Sequence, residues 1–136
     1  MSIDINKKIF RIEDAEQYQA LIETSQKKLV MIDFYQDWCG PCDAIQPTLS
    51  KVYQDYDAID ERFVLAGVSI NKVGLETIMA SLSASENQNY KLNGCLPSFA
   101  FFRFKALVTF VSGVDAPTIV SQISINMPDK PEAAEQ

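Results

Sequence analysis

Residues 29–42 read LVMIDFYQDWCGPC, an apolar run that leads into two cysteines three positions apart. The run from Leu29 to Phe34 contains one charged residue, Asp33, and is typical of a central strand buried on both faces of a parallel sheet. After the second cysteine, apolar residues recur at helical spacing from Ile45 to Tyr56. A buried strand followed by an amphipathic helix predicts an α/β fold.

The rest of the chain continues this alternation in the order βαβαβαββα, which predicts a central mixed sheet with helices on both faces. The predicted domain covers residues 1–126, and the Pro-rich, charged segment 127–136 is predicted to be a flexible tail. Pro47 is expected to kink the second helix. The predicted strands are 9–12, 29–34, 63–70, 99–102 and 107–111, and the predicted helices are one opened by Asp14, 41–57, 75–82 and 118–125.

Composition limits the possible functions. A chain of 136 residues that is 47% hydrophobic suits one domain with one core. The net charge of -6 supplies no basic field for phosphates, so we expect neither a nucleic-acid partner nor a membrane partner. Histidine is absent, which excludes Ser-His-Asp triads and His-containing zinc sites within this chain. With no apolar run long enough for a membrane span or signal peptide, a cytoplasmic location is expected.

The pair Cys39 and Cys42 could bind zinc, form an inert disulfide or cycle between dithiol and disulfide. Structural zinc needs four ligands and only Cys95 remains, so we expect no metal. An inert disulfide suits neither a reducing compartment nor a pair placed at the start of a helix. Redox cycling is the reading that this placement favours, because a helix start stabilises a thiolate.

In that reading Cys39 is the attacking nucleophile and Cys42 is the resolving thiol of one reversible disulfide. Trp38 would form an apolar wall beside the nucleophile. Asp33 lies in an apolar strand, so its pKa is expected to rise and allow it to accept the proton of Cys42. The alternative for Asp33 is a carboxylate held by backbone donors at the strand end.

The sequence WCGPC after a buried strand resembles the thioredoxin family, and the resemblance covers residues 9–125. Asp33 and Pro47 match the buried acid and the helix-kinking proline of that family. The resemblance implies a thioredoxin fold, a cis peptide before Pro97 that exposes the Leu96 backbone, and thiol-disulfide oxidoreductase activity. It implies no bound cofactor, since electrons come from NADPH through a thioredoxin reductase. The implied substrate groove contains Trp38, Gly40, Pro41, Leu96, Pro97 and Gly113.

Several positions depart from the family pattern. Asp43 stands where a basic residue usually follows the second cysteine, and Gly67 stands where many members have a lysine beside the buried acid. These changes predict modest reductase activity. Cys95 resembles a surface cysteine of animal cytosolic thioredoxins and is a possible regulatory thiol. Phe104, in a predicted hairpin turn, is a possible partner contact.

Two further stretches, IDFYQDWCGPC and Gly-Val-Asp-Ala-Pro at 113–117, resemble thioredoxin-like light chains of axonemal outer-arm dynein and the thioredoxin segment of nucleoside diphosphate kinase fusions. This resemblance implies a light chain that docks on a dynein intermediate or heavy chain in a ciliary or flagellar axoneme. The cysteine pair would then sense redox state or bind partner proteins through their cysteines or disulfides. The alternative is a free cytosolic thioredoxin that reduces protein disulfides.

Overall fold

The strands form one five-stranded sheet. The computed structural model describes residues 7–35, 45–83, 98–113 and 115–129. Within these ranges the strands lie side by side in the order β1-β3-β2-β4-β5. They are β1 Phe10–Ile12, β2 Leu29–Tyr35, β3 Phe63–Ser69, β4 Ser98–Arg103 and β5 Ala106–Ser112.

Strand direction makes this a mixed sheet. β3 is parallel to both β1 and β2, whereas β4 is antiparallel to β2 and β5 is antiparallel to β4. Parallel neighbours need a crossover connection, and antiparallel β4 and β5 need only a tight turn. The predicted mixed sheet is therefore confirmed.

The helices begin largely where the sequence supplies a cap. The carboxylate of Asp14 accepts a hydrogen bond from the Gln17 backbone N–H, and Asp115 accepts one from Thr118. A 3₁₀ turn lies between α2 and β3 at Ile59–Glu61. The α-helices are α1 Ala15–Thr24, α2 Gln46–Asp55, α3 Ile70–Val73, α4 Leu75–Ser83 and α5 Ala116–Asn126.

Helices cover both faces of the sheet because β2 sends alternate side chains to opposite sides. Val30 and Ile32 pack in a cluster with residues of α1 and α4. Leu29 and Met31 pack in a second cluster with residues of α2 and α5. The prediction of helices on both faces is confirmed, and the acid at position 33 belongs by alternation to the face of α2 and α5.

Most predicted boundaries differ from the observed ones by one or two residues, and three differences have a local explanation or change an element. Helix α2 ends at Asp55 and not at residue 57, because Tyr56 is extended, with φ -108° and ψ 128°. Strand β3 ends at Ser69, whose side chain accepts a hydrogen bond from the Lys72 N–H at 3.3 Å and caps the unpredicted helix α3. Strand β1 begins at Phe10.

The prediction of a kink at Pro47 depends partly on residues outside the described ranges. Pro47 lies in the first turn of α2 as described, where a missing N–H is tolerated. The predicted helix start at residue 41 also falls outside those ranges. At the other terminus, Met127 packs on the second cluster and the Pro128 carbonyl accepts a 2.9 Å hydrogen bond from Arg62. Contacts with the domain thus continue past residue 126.

The sheet has two chemically different ends. At the site end, β2 finishes at Tyr35 and β4 begins at Ser98. At the hairpin end, β2 begins at Leu29 and a two-residue turn joins β4 to β5. Because β2 spans seven residues, these ends are about 20 Å apart.

Candidate functional site

Asp33 occupies the centre of a row of residues that crosses the whole sheet. Its Cα partner on β3 is Gly67, and its partner on β4 is Phe99. The row continues to Arg11 on β1, opposite Gly67, and to Val111 on β5, opposite Phe99. Directly paired residues of neighbouring strands point to the same face, so these five share one side of the sheet.

The surroundings of the Asp33 carboxyl are mainly apolar. Phe99 is 0% exposed, and Met31, two residues earlier on the same face, is also fully buried. The Oδ1 atom of Asp33 is shielded from solvent. Burial disfavours an ionised carboxylate. Asp33 lies in β2, the central strand, and is half-buried as a whole, and its role as a proton acceptor stays a prediction.

One of the two helices on this face, α2, follows the cysteine pair in sequence. Ile45, immediately before α2, is buried in the same cluster as Met31 and Phe99. Cys42 lies three positions before Ile45 in the chain. The acid and the helix downstream of the thiols therefore belong to one layer of the molecule.

Gly67 places no side chain directly opposite Asp33 on β3. The register puts these two residues directly opposite each other, and Arg11 is the next residue along the row. A lysine at position 67 would point to the same face as Asp33. Because position 67 is glycine, no lysine there can stabilise the ionised acid. This is the departure from the family pattern that the sequence analysis noted at Gly67.

Most of the predicted site residues lie outside the described ranges, and their roles stay predictions. The same holds for the predicted cis peptide and for the choice among zinc, inert disulfide and redox pair. The residues concerned are Trp38, Cys39, Gly40, Pro41, Cys42, Cys95, Leu96 and Pro97.

Gly113 is described and lies at the site end, directly after β5. Its φ of +84° falls in the region that side-chain-bearing residues rarely adopt. A Cβ atom built there would meet no atom within 4 Å, so the backbone angle and not crowding favours glycine. The structure places this predicted groove residue beside the end of the β4–β5 ladder, where Ser98 pairs with Ser112.

Sequence analysis missed Ser98 as a residue of the site end. It is 2% exposed, and its hydroxyl has no hydrogen-bond partner among the described residues. A buried hydroxyl normally has a partner. The available signal was its position directly after Pro97 in the chain.

The comparisons with known proteins agree with this arrangement. The family model described as Thioredoxin matches residues 9–124. The chain belongs to the thioredoxin family. This thioredoxin-family chain is 30% identical, over 85% of its length and 81% of the relative, to the dynein 14 kDa light chain of the flagellar outer arm of Chlamydomonas reinhardtii. It is 28% identical, over 75% of its length and 84% of the relative, to Thioredoxin-3 of Dictyostelium discoideum.

Solved thioredoxin structures share the fold. Thioredoxin f2 of Chlamydomonas reinhardtii superposes with a TM-score of 0.63 and 31% identity, over 90% of this chain and 99% of that protein. The reduced thioredoxin pre-protein of Schistosoma mansoni superposes with a TM-score of 0.63 and 24% identity, over 87% and 97% of the two chains. The predicted thioredoxin fold is confirmed.

Two kinds of feature are absent from the part of the chain that the structure describes. None of the helices there is both long enough and apolar enough to cross a bilayer. No group of three or more His, Cys, Asp or Glu side chains within those ranges could hold a metal ion.

Proposed function

We propose that this chain is a thiol-disulfide redox protein that serves as a light-chain subunit of an axonemal outer-arm dynein. In this proposal Cys39 and Cys42 sense redox state or dock partner cysteines, and the partner is a dynein intermediate or heavy chain in a cilium or flagellum. The observation that carries the dynein assignment is the 30% identity to a flagellar outer-arm light chain over 85% of this chain.

The proposed chemistry is a two-electron exchange of disulfides. The Cys39 thiolate attacks one sulfur of a partner disulfide, the partner S–S bond breaks, and the other partner sulfur leaves as a thiolate. Cys42 then gives its proton to Asp33, and its thiolate attacks the Cys39 sulfur of the mixed disulfide. The Cys39–Cys42 disulfide forms, and the partner leaves as a dithiol carrying both electrons.

The surroundings of Asp33 support the proton-transfer step. Its Oδ1 atom is shielded from solvent, and its directly paired neighbours are Gly67 on β3 and Phe99 on β4. A shielded carboxyl on the sheet face covered by the helix that follows the cysteines is a candidate acceptor for the Cys42 proton.

Affinity capture from a ciliary extract tests the dynein assignment. The immobilised protein is expected to retain a dynein heavy or intermediate chain, identified by mass spectrometry. A form carrying Cys39→Ser and Cys42→Ser is expected to retain most of that association, because the association depends on the folded docking surface and not on catalytic turnover. Capture of no dynein chain, together with turnover equal to that of an ordinary thioredoxin, would overturn the assignment.

The second candidate function is a free cytosolic protein-disulfide reductase. The 28% identity to Thioredoxin-3 over 84% of that relative favours it. Electrons would pass from NADPH through a thioredoxin reductase to the cysteine pair. Reduction of insulin in the presence of that enzyme and NADPH measures this activity, and Cys39→Ser is expected to abolish it. Retained activity in that variant would contradict the role of Cys39.

A further inference from the structure

The turn at the hairpin end breaks the usual sequence rule for its geometry. Its two central residues, Phe104 and Lys105, both have positive φ, at 58° and 66°. Two-residue turns of this type normally contain asparagine and glycine, because other side chains are strained there. An aromatic residue in this position weakens the turn and needs compensation elsewhere.

The compensation comes from the end of α1. The Phe104 N–H donates to the Ser25 carbonyl at 2.6 Å, and the Lys105 N–H donates to the Ser25 hydroxyl at 2.8 Å. The Arg103 guanidinium donates to the carbonyls of Ser25 and Gln26 at 3.0 and 2.8 Å. Ser25 is fully buried. The turn is thus fixed in one conformation before any partner arrives.

The aromatic ring contributes little to the core. Phe104 is 70% exposed, and the Arg103 guanidinium carbon lies 4.0 Å from its ring centroid. The Arg103 guanidinium packs against the Phe104 ring, and its N–H groups donate to the carbonyls of Ser25 and Gln26. This arrangement keeps the ring on the outside of the molecule. A rigid aromatic side chain over an arginine is the composition typical of binding hot spots.

The turn and the segment that holds it carry an excess of positive charge. Lys27 follows Gln26, whose carbonyl binds Arg103, and has no carboxylate partner among the described residues. Lys105 pairs with Glu23 at 3.0 Å, so Arg103 and Lys27 account for the excess. Lys28 does not contribute, because its ammonium donates to the Asp60 carbonyl at 2.8 Å, in the acidic 3₁₀ turn before β3.

We infer that Phe104, together with Lys27, Arg103 and Lys105, forms a docking surface for an acidic protein segment that carries an apolar side chain. These residues are called the hairpin patch below. Phe104 supplies the apolar contact, and the lysines supply charge complementarity to carboxylates. The inference rests on the hairpin alone and does not depend on redox chemistry or on dynein.

The position of the hairpin patch has a functional consequence. It lies at the end of β2 opposite Tyr35, about 20 Å from the end that Gly113 borders. A partner bound to the hairpin patch leaves the site end accessible. A protein segment fits better than an anionic membrane, because one exposed aromatic ring offers less apolar surface than an amphipathic face that inserts into a membrane.

Fluorescence anisotropy with the full chain tests the inference. The probe is a short fluorescein-labelled glutamate peptide with one central leucine, and a second peptide has serine in place of leucine. Phe104→Asn is expected to weaken binding of the leucine peptide by about tenfold and to leave the serine peptide nearly unchanged. Asparagine suits the positive φ of this position, so the variant is expected to fold.

Two control variants, Phe10→Asn and Lys51→Glu, separate binding at the hairpin patch from binding by any exposed ring or any surface charge. Phe10→Asn removes another exposed phenylalanine, at 60% exposure on β1, and is expected to leave binding unchanged. Lys27→Glu is expected to weaken binding of both peptides, whereas Lys51→Glu on exposed α2 is not. Absence of wild-type binding, equal affinities of wild type and Phe104→Asn, or stronger binding to phosphatidylserine vesicles than to the leucine peptide would overturn the inference.

Discussion

The site end and the hairpin end of the sheet use polar groups in opposite ways. Near the site end, Asp33 is held among apolar residues, opposite a glycine that gives it no side-chain neighbour. At the hairpin end, Phe104 and Lys105 both have positive φ and donate hydrogen bonds to Ser25. Arg103 donates to the carbonyls of Ser25 and Gln26, just after α1. One region places an acid beside buried apolar residues, and the other uses its donors to fix a turn.

This difference indicates where each region has its function. Acids placed among apolar residues are found more often at reactive sites than elsewhere. A turn that is rigidly held yet exposes an aromatic ring suits recognition, because little conformational entropy is lost when a partner binds. The following predictions test whether the two ends differ in this manner.

Two phenylalanines provide the largest expected contrast. Phe99 is fully buried beside Asp33, so Phe99→Ala is expected to lower the free energy of unfolding by about 3–5 kcal/mol. Phe104→Ala removes the same atoms from an exposed position and is expected to change the free energy of unfolding by less than about 0.5 kcal/mol. Urea denaturation measures both. Equal losses would show that the exposed ring supports the fold.

Asp33→Asn is the next largest expected change, and it concerns the rate of disulfide reduction. Without a proton acceptor for Cys42, turnover of insulin with dithiothreitol is expected to fall about tenfold to a hundredfold. Asp55→Asn removes an exposed carboxylate on α2 that pairs with Lys51, and serves as the control. Equal turnover by wild type and Asp33→Asn would remove the chemical reason for the acid.

Ser25→Ala tests the support of the turn. The change removes the acceptor of the part-buried Lys105 N–H, and the free energy of unfolding is expected to fall by about 2 kcal/mol. Ser124→Ala, on the exposed side of α5, should have little effect. If both variants unfold at the same urea concentration as wild type, the contacts with α1 do not stabilise the turn.

Gly113→Ala should give the smallest effect. The substitution is expected to cost about 1 kcal/mol, because alanine is strained at a φ of +84° although no atom crowds the new methyl group. Ser112→Ala, at an exposed neighbouring position, is the control for thermal unfolding. An unchanged melting temperature for Gly113→Ala would mean that the backbone there relaxes without cost.

Much of the fold could be predicted because its signals are local. The apolar run of β2, the cap at Asp14 and the hairpin between β4 and β5 depend on residues that are close in sequence. Helix α3 was missed because four residues between a serine cap and Gly74 carry too little periodicity. Within the candidate site, sequence placed an acid and a glycine but could not specify their neighbours.

By itself, the sequence determined the order of elements, the thioredoxin resemblance and the charged position in β2. Only the tertiary structure decided that Asp33 faces Gly67 and Phe99, and that Ser25 holds a turn about 80 residues away in the chain. The physical reason is that hydrophobic periodicity records which face of an element is buried, but not which residues meet across it. Those pairings depend on strand register and on contacts between distant segments.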